Sequence, residues 1–240
     1  MIGTILNVAA ILIGGSLGLL VGARLPERLR QTVIYGLGLF TGAIGIQMFL
    51  KTGNSIIVLA SLLVGGILGE WWRIEDGLRN LGAFLEKRFA GGNGMDQGSR
   101  FIRGFLTASL VFCVGPMAIL GAIQDGTSGD FTLLAIKSVL DGFASLAFAS
   151  SLGVGVIFSV LMILVYQGGI TLLAAQAQAI MTTTMMNEMT AVGGVLLMGV
   201  AVSSLLKIKP IRMGNFIPAL FLAPLLSPLI AAILAALGIS

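Results

Sequence analysis

In KSVLDG, deep inside an apolar run, Lys137 and Asp141 stand four residues apart. On a helix that spacing puts an ammonium and a carboxylate on one face, where they can pair. An unpaired aspartate near the middle of a membrane span costs about 2.5–3.5 kcal/mol on insertion scales. The pair is therefore either a packing device or a working group, and ionisable residues inside spans mark ion and substrate paths by default. Asp141 is accordingly the candidate coupling residue for proton or sodium binding, with Lys137 as partner and Gln167, in YQGG, completing a polar centre.

A second signal is FCVGPMAILGAIQDG, from Phe112 to Gly126. Proline inside a helix removes a hydrogen bond and clashes with the preceding turn, at about 3 kcal/mol or more. In lipid the freed carbonyl needs a partner in protein or cavity water. Gly115 and Pro116 thus predict a broken span facing protein or water. Pro224, with Pro218 and Pro228 around it, marks the last span in a similar way. Interrupted spans at corresponding places in two halves point to a transporter's binding site. Asn7, Gln124, Asp125, Asn187 and Glu188 are expected around the outer mouth. As ordinary helix-end residues, Asn187 would cap the seventh span and Glu188 would complement its dipole.

What is missing prunes the chemistry. The chain has no histidine, which excludes a Ser-His-Asp triad and histidine-ligated haem or zinc. Cys113 is the single cysteine, so no intrachain disulfide or cysteine cluster can form. Aspartyl proteolysis needs two aspartates sharing a site, and Asp125 falls at a helix end. No phosphate-binding G-x-x-x-x-G-K-[ST] loop is present. No enzymatic activity and no cofactor are expected, and nothing in the sequence speaks for or against a metal.

The elements that must hold these residues follow from composition. Hydrophobic residues make up 57% of the 240 and charged ones 10%, with 34 glycines. Soluble domains carry about 25% charged residues, so too few are present to cover a water-facing surface. Apolar runs reach the roughly 20 residues needed to cross a bilayer. The reading is an all-α polytopic transmembrane bundle of about eight spans, some interrupted by Gly or Pro. They run roughly over 2–22, 32–50, 55–72, 101–124, 132–150, 153–174, 188–206 and 215–238. The whole of 1–240 reads as one transmembrane domain.

Loop charge gives the orientation. Arg24, Arg28 and Arg30 follow the first span; Arg73, Arg79, Lys87, Arg88, Arg100 and Arg103 surround the third loop; Lys207, Lys209 and Arg212 follow the seventh span. The alternate loops carry only Lys51. The positive-inside rule then predicts both termini outside. The sequence pI of about 9.6 reflects this topology and calls for no nucleic-acid partner. Within the third loop, Ile74, Leu78, Leu81, Phe84, Leu85 and Phe89 recur near helical spacing behind Trp71 and Trp72. This predicts a cytoplasmic amphipathic segment on the membrane surface, with a flexible linker after it, at about 73–100. The N-terminal MIGTILNVAA lacks a basic signal-peptide region, so the first span is expected to be retained.

ILIGGSLG at 11–18 recurs as LLVGGILG at 62–69 and, more faintly, as VGGVLLMG at 192–199. One reading is a four-plus-four internal repeat; the other is that Gly-Gly pairs recur wherever membrane helices pack closely.

Taken in order, FCVGPMAILGAIQDG, KSVLDG, YQGGITLLA and NEMTAVGG resemble the YqgA/YdfK-like family of bacterial inner-membrane proteins, a domain of unknown function. The resemblance spans essentially the whole chain. It implies a bacterial or archaeal cell membrane and brings no substrate and no assigned residues. The function expected from the residues is secondary transport of a small solute or ion, coupled to protons or sodium. The alternative is a channel or a non-transporting scaffold. Lipid and a small solute or cation are the expected partners, and a homo-oligomer is one arrangement that fits.

Overall fold

The structure, a computed structural model, describes residues 1–90 and 95–236. Among the described residues it is helical, without strands. The α-helices are α1 (Ile2–Gly22), α2 (Glu27–Phe49), α3 (Ser55–Trp72), α4 (Ile74–Leu85), α5 (Met95–Val114) and α6 (Pro116–Thr127). They continue with α7 (Thr132–Leu152), α8 (Val160–Leu172), α9 (Ala174–Ile180), α10 (Thr183–Val200) and α11 (Ile217–Ala236). A 3-10 turn leads into α8 and another into α11, while α10 runs on as π-helix to Leu205. Seven of these segments are long and apolar enough to cross a bilayer, and α5 with α6, bent by 61°, is an eighth if the pair crosses as one span.

Close glycine contacts reveal the relative directions of the helices. Along α1, a Cβ at Gly14 would meet the Gly142 carbonyl oxygen at 2.0 Å, one at Gly18 that of Leu146 at 2.2 Å, and one at Gly22 that of Ser150 at 2.4 Å. Numbers rise together, so α1 and α7 are parallel. Gly65 meets Ala219 while Gly69 meets Asn215, so α3 and α11 are antiparallel. Two parallel spans must have an odd number of crossings between them. Between α1 and α7 lie α2, α3 and the bent pair, so α7 can run parallel to α1 only if α5–α6 crosses. The count of eight then follows.

The bend has a local cause. Gly115 is extended (φ −69°, ψ 144°), as a residue before proline prefers, and Pro116 opens α6, where its missing N–H is no loss. The burial of the Pro116 side chain lies outside the described residues. Pro224 behaves differently. With Pro228 it sits inside α11, which continues through both without a break, while Pro218 occupies the tolerated first turn. The expected correspondence between spans four and eight therefore stops short of a shared interruption.

Two boundaries moved for identifiable reasons. The seventh span begins at Thr183, because the Thr182 hydroxyl accepts the Met185 N–H at 3.2 Å; Asn187 lies within the helix and is not its cap. At α5 the helix already starts at Met95, inside the stretch expected to be linker.

Arg73 takes the left-handed conformation (φ 53°, ψ 45°) and turns the chain from α3 into α4. Such a residue costs about 1–2 kcal/mol outside glycine. A polar latch holds the turn. The Glu75 N–H donates to Asn215 Oδ1 at 2.7 Å, and Gly214 N–H donates to Glu75 Oε2 at 2.8 Å. Arg212 and the Asn215 amide both reach Glu70. The apolar stripe of α4 is divided accordingly. Leu85 is buried against Phe101 and Phe105, whereas Phe84, Trp71 and Trp72 are exposed. The Phe89 side chain lies outside the described residues.

Candidate functional site

Three helices converge on one buried polar group. Asn7 is five residues into α1 and Lys137 five residues into α7, while Gln167 is five residues from the end of α8. At 1.5 Å per residue each lies about 7.5 Å inside its helix end. Because α1 and α7 start where α8 finishes, the three fall at one depth.

The hydrogen bonds can be followed atom by atom. The Lys137 ammonium pairs with Asp141 Oδ2, and the Asn7 amide donates to the same oxygen at 3.0 Å. Asn7 Nδ2 also donates to Gln167 Oε1 at 3.3 Å, and Gln167 Nε2 donates to Thr4 Oγ1 at 3.1 Å. The Thr171 hydroxyl spends its proton on the Gln167 carbonyl at 2.9 Å. Thr4 must therefore be the donor in its 3.4 Å contact with Thr171 Oγ1, since each hydroxyl carries a single proton. Thr4, Asn7, Lys137, Asp141, Gln167 and Thr171 are all buried. One acceptor is left over: Asn7 Oδ1 is buried with no hydrogen-bond partner among the described residues.

The broken span borders this centre. Cys113, two residues before Gly115, lies close enough for the charges of Lys137 and Asp141 to act on it, and Tyr166 is its neighbour in turn. The Tyr166 hydroxyl is likewise buried without a hydrogen-bond partner among the described residues. The segment entering the bend thus runs within electrostatic reach of the ion pair.

Other expected members go elsewhere. Asp125 Oδ2 accepts the Gly3 N–H at 3.1 Å and lies 2.9 Å from the Met1 amino group, so this carboxylate holds the N-terminal turn of α1. Glu188 does the same for α3. It accepts Thr52 Oγ1–H at 2.6 Å and the N–H groups of Gly53 and Asn54 at 2.8 and 3.2 Å. Glu188 therefore serves the start of α3, and not the dipole of its own helix. Gln124 is exposed, and Asn187 and Pro224 are half-buried away from these bonds.

The family question is settled by coverage. The family model described as "Protein of unknown function (DUF554)" matches residues 2–228. This chain belongs to the DUF554 family. It is 34% identical over 226 residues to "Uncharacterized protein YqgA" of Escherichia coli (strain K12), covering 94% of this chain and 96% of that one. It is 29% identical over 228 residues to "Uncharacterized membrane protein YdfK" of Bacillus subtilis (strain 168), covering 93% and 94%. No solved structure matches.

In this DUF554 chain, Thr4 and Thr171 are members of the centre that sequence reading missed, and Asn7 belongs to it instead of the mouth. The available signal was weak: single uncharged polar residues in apolar helices, each able to hydrogen-bond to its own backbone.

Proposed function

We propose that the chain is a secondary transporter of a small solute or ion, coupled to protons or sodium through Asp141. The observation that supports this most is the buried Asn7–Asp141–Gln167 centre, which joins α1, α7 and α8 beside a broken span. A transport cycle needs a group whose partners change between conformations. Asp141 has two side-chain partners from different positions, and the bend of α5–α6 supplies a movable neighbour. Lys137 would leave Asp141 when a cation arrives and return when it departs. In this reading the basic loops are cytoplasmic, both termini are outside, and the membrane is the inner membrane of a bacterium or archaeon. No chemical step on the solute is involved, and a homo-oligomer is compatible with the scheme.

Reconstituted protein should carry pyranine-reported proton flux or ²²Na⁺ uptake above empty vesicles. Asp141→Asn should abolish it while the protein stays folded. Flux that is unchanged in Asp141→Asn would sink the proposal.

A scaffold without a transport cycle is the second reading. It is favoured by the closed Lys137–Asp141 pair and by the helix-end duties of Asp125 and Glu188. If Lys137→Met with Asp141→Leu restores the stability lost in either single variant and flux never exceeds that of empty vesicles, this reading stands.

A further inference from the structure

A cleft of about 440 Å³ opens at the basic end of the bundle, far along α1 and α7 from the polar centre. Arg30, Arg100 and Glu86 line it, together with Leu19, Leu25 and Leu152. Its volume falls in the range of about 300–1,000 Å³ common to small-ligand sites.

Arg100 is the unusual member. It is half-buried, forms no ion pair among the described residues, and its Nε is buried without a hydrogen-bond partner. Its guanidinium lies across Gly153, where a Cβ would stand 3.4 Å from Nε and where φ is +88°. A side chain at 153 would be both strained and crowded against the arginine. Burying a donor of this kind without an acceptor is unfavourable, because its lost hydration is not replaced. Its charged neighbours do not remove the need. Arg30 is paired with Glu27, and Arg103 adds a further positive charge that Arg100 feels. Two guanidinium groups, of Arg30 and Arg100, thus line the cleft with one carboxylate, Glu86, while Glu27 is engaged with Arg30.

We propose that this cleft is a binding site for a phosphate-bearing anion, held by Arg100 and Arg30. Planar guanidinium groups meet phosphate oxygens through paired hydrogen bonds, which a buried Nε is well placed to complete. Basic clefts between transmembrane helices on the cytoplasmic side take anionic lipid headgroups in this way. Leu19, Leu25 and Leu152 would cover the apolar part of such a lipid. A free phosphate uses the same arginines and leaves the leucines idle. The site is independent of Asp141 and of transport.

The test uses the full chain purified in detergent, with phosphatidylglycerol, phosphatidylcholine of the same acyl length, and inorganic phosphate as probes. Native mass spectrometry reads retention, and thermal denaturation reads stabilisation. Phosphatidylglycerol should be retained at least tenfold more than phosphatidylcholine. Arg100→Gln and Arg30→Gln should each remove most of that preference, while Lys51→Gln, at the other end of the bundle, should keep it. Stabilisation by inorganic phosphate that depends on Arg100, without lipid preference, identifies the soluble anion as the occupant. If Arg100→Gln does not fold, Arg30→Gln decides alone. Retention and stabilisation that are the same in the arginine variants as in the unmodified chain overturn the proposal, as does the lack of binding of either probe.

Discussion

Asp141 receives both the Lys137 ammonium and the Asn7 amide on a single oxygen, Oδ2. The two contacts differ in what their loss should do. Lys137→Met leaves a buried carboxylate without its cation, which typically destabilises by about 3–5 kcal/mol. Interhelical hydrogen bonds in membranes average only about 0.6 kcal/mol. Asn7→Leu should therefore be several-fold milder than Lys137→Met when both are unfolded by denaturant in mixed micelles. Equal losses would show that the amide carries as much as the ion pair. Glu188 offers a comparison outside the centre, since its carboxylate accepts three hydrogen bonds at the start of α3. Hydrogen bonds to charged groups are worth about 1.5–3 kcal/mol each. Glu188→Ala should cost at least one such bond in the same assay, with no change in flux beyond that due to stability.

Helices in this molecule meet through glycine. Gly18 of α1 leaves its would-be Cβ 2.2 Å from the Leu146 carbonyl oxygen, whereas Gly36 of α2 has nothing within 4 Å. Gly18→Ala must push α1 off α7, and overpacking of this kind costs about 1–3 kcal/mol. Gly36→Ala meets no neighbour and should gain up to about 1 kcal/mol from helix propensity. Thermal denaturation of the two single variants checks the opposite signs. The α1–α7 contact matters for the site because it sets Asn7 against Asp141. At the bend the situation is again different. Gly115 has negative φ and open space for a Cβ, so Gly115→Ala should fold normally. The break belongs to Pro116, whose ring disfavours the helical conformation at the residue before it whether that residue is Gly or Ala.

For the whole molecule the testable quantity is orientation. Basic residues flank the ends where α1, α3 and the π-extension of α10 finish. Reporter fusions after Gly53 and Gly129 should read as external, and one after Gly92 as cytoplasmic. A cytoplasmic signal at Gly129 would contradict the crossing of α5–α6 inferred from the parallel α1 and α7. The latch of Glu70 and Glu75 on Arg212 and Asn215 sits at the same end as the basic loops. It ties the end of α3 and the start of α4 to the chain entering α11 across separations of 139 to 145 residues.

Composition, apolar run length and loop charge were enough to determine a helical membrane protein, its spans and the pattern predicting its orientation. These are properties of consecutive residues, because each helix must satisfy its own backbone and clear the bilayer alone. The Lys137–Asp141 pair and the Gly115–Pro116 break were legible for the same reason, both being local to one helix turn. The partners were not. Asn7 meets Asp141 and Gln167 over separations of 134 and 160 residues, and Glu188 meets the α2–α3 turn over about as many. Nothing in the local pattern distinguishes Asp125 and Glu188, which hold helix ends, from Asp141, which joins the centre. Only the packing of one helix on another decides which polar atoms come within hydrogen-bond reach. That packing depends on where a glycine on one helix lets the backbone of another approach.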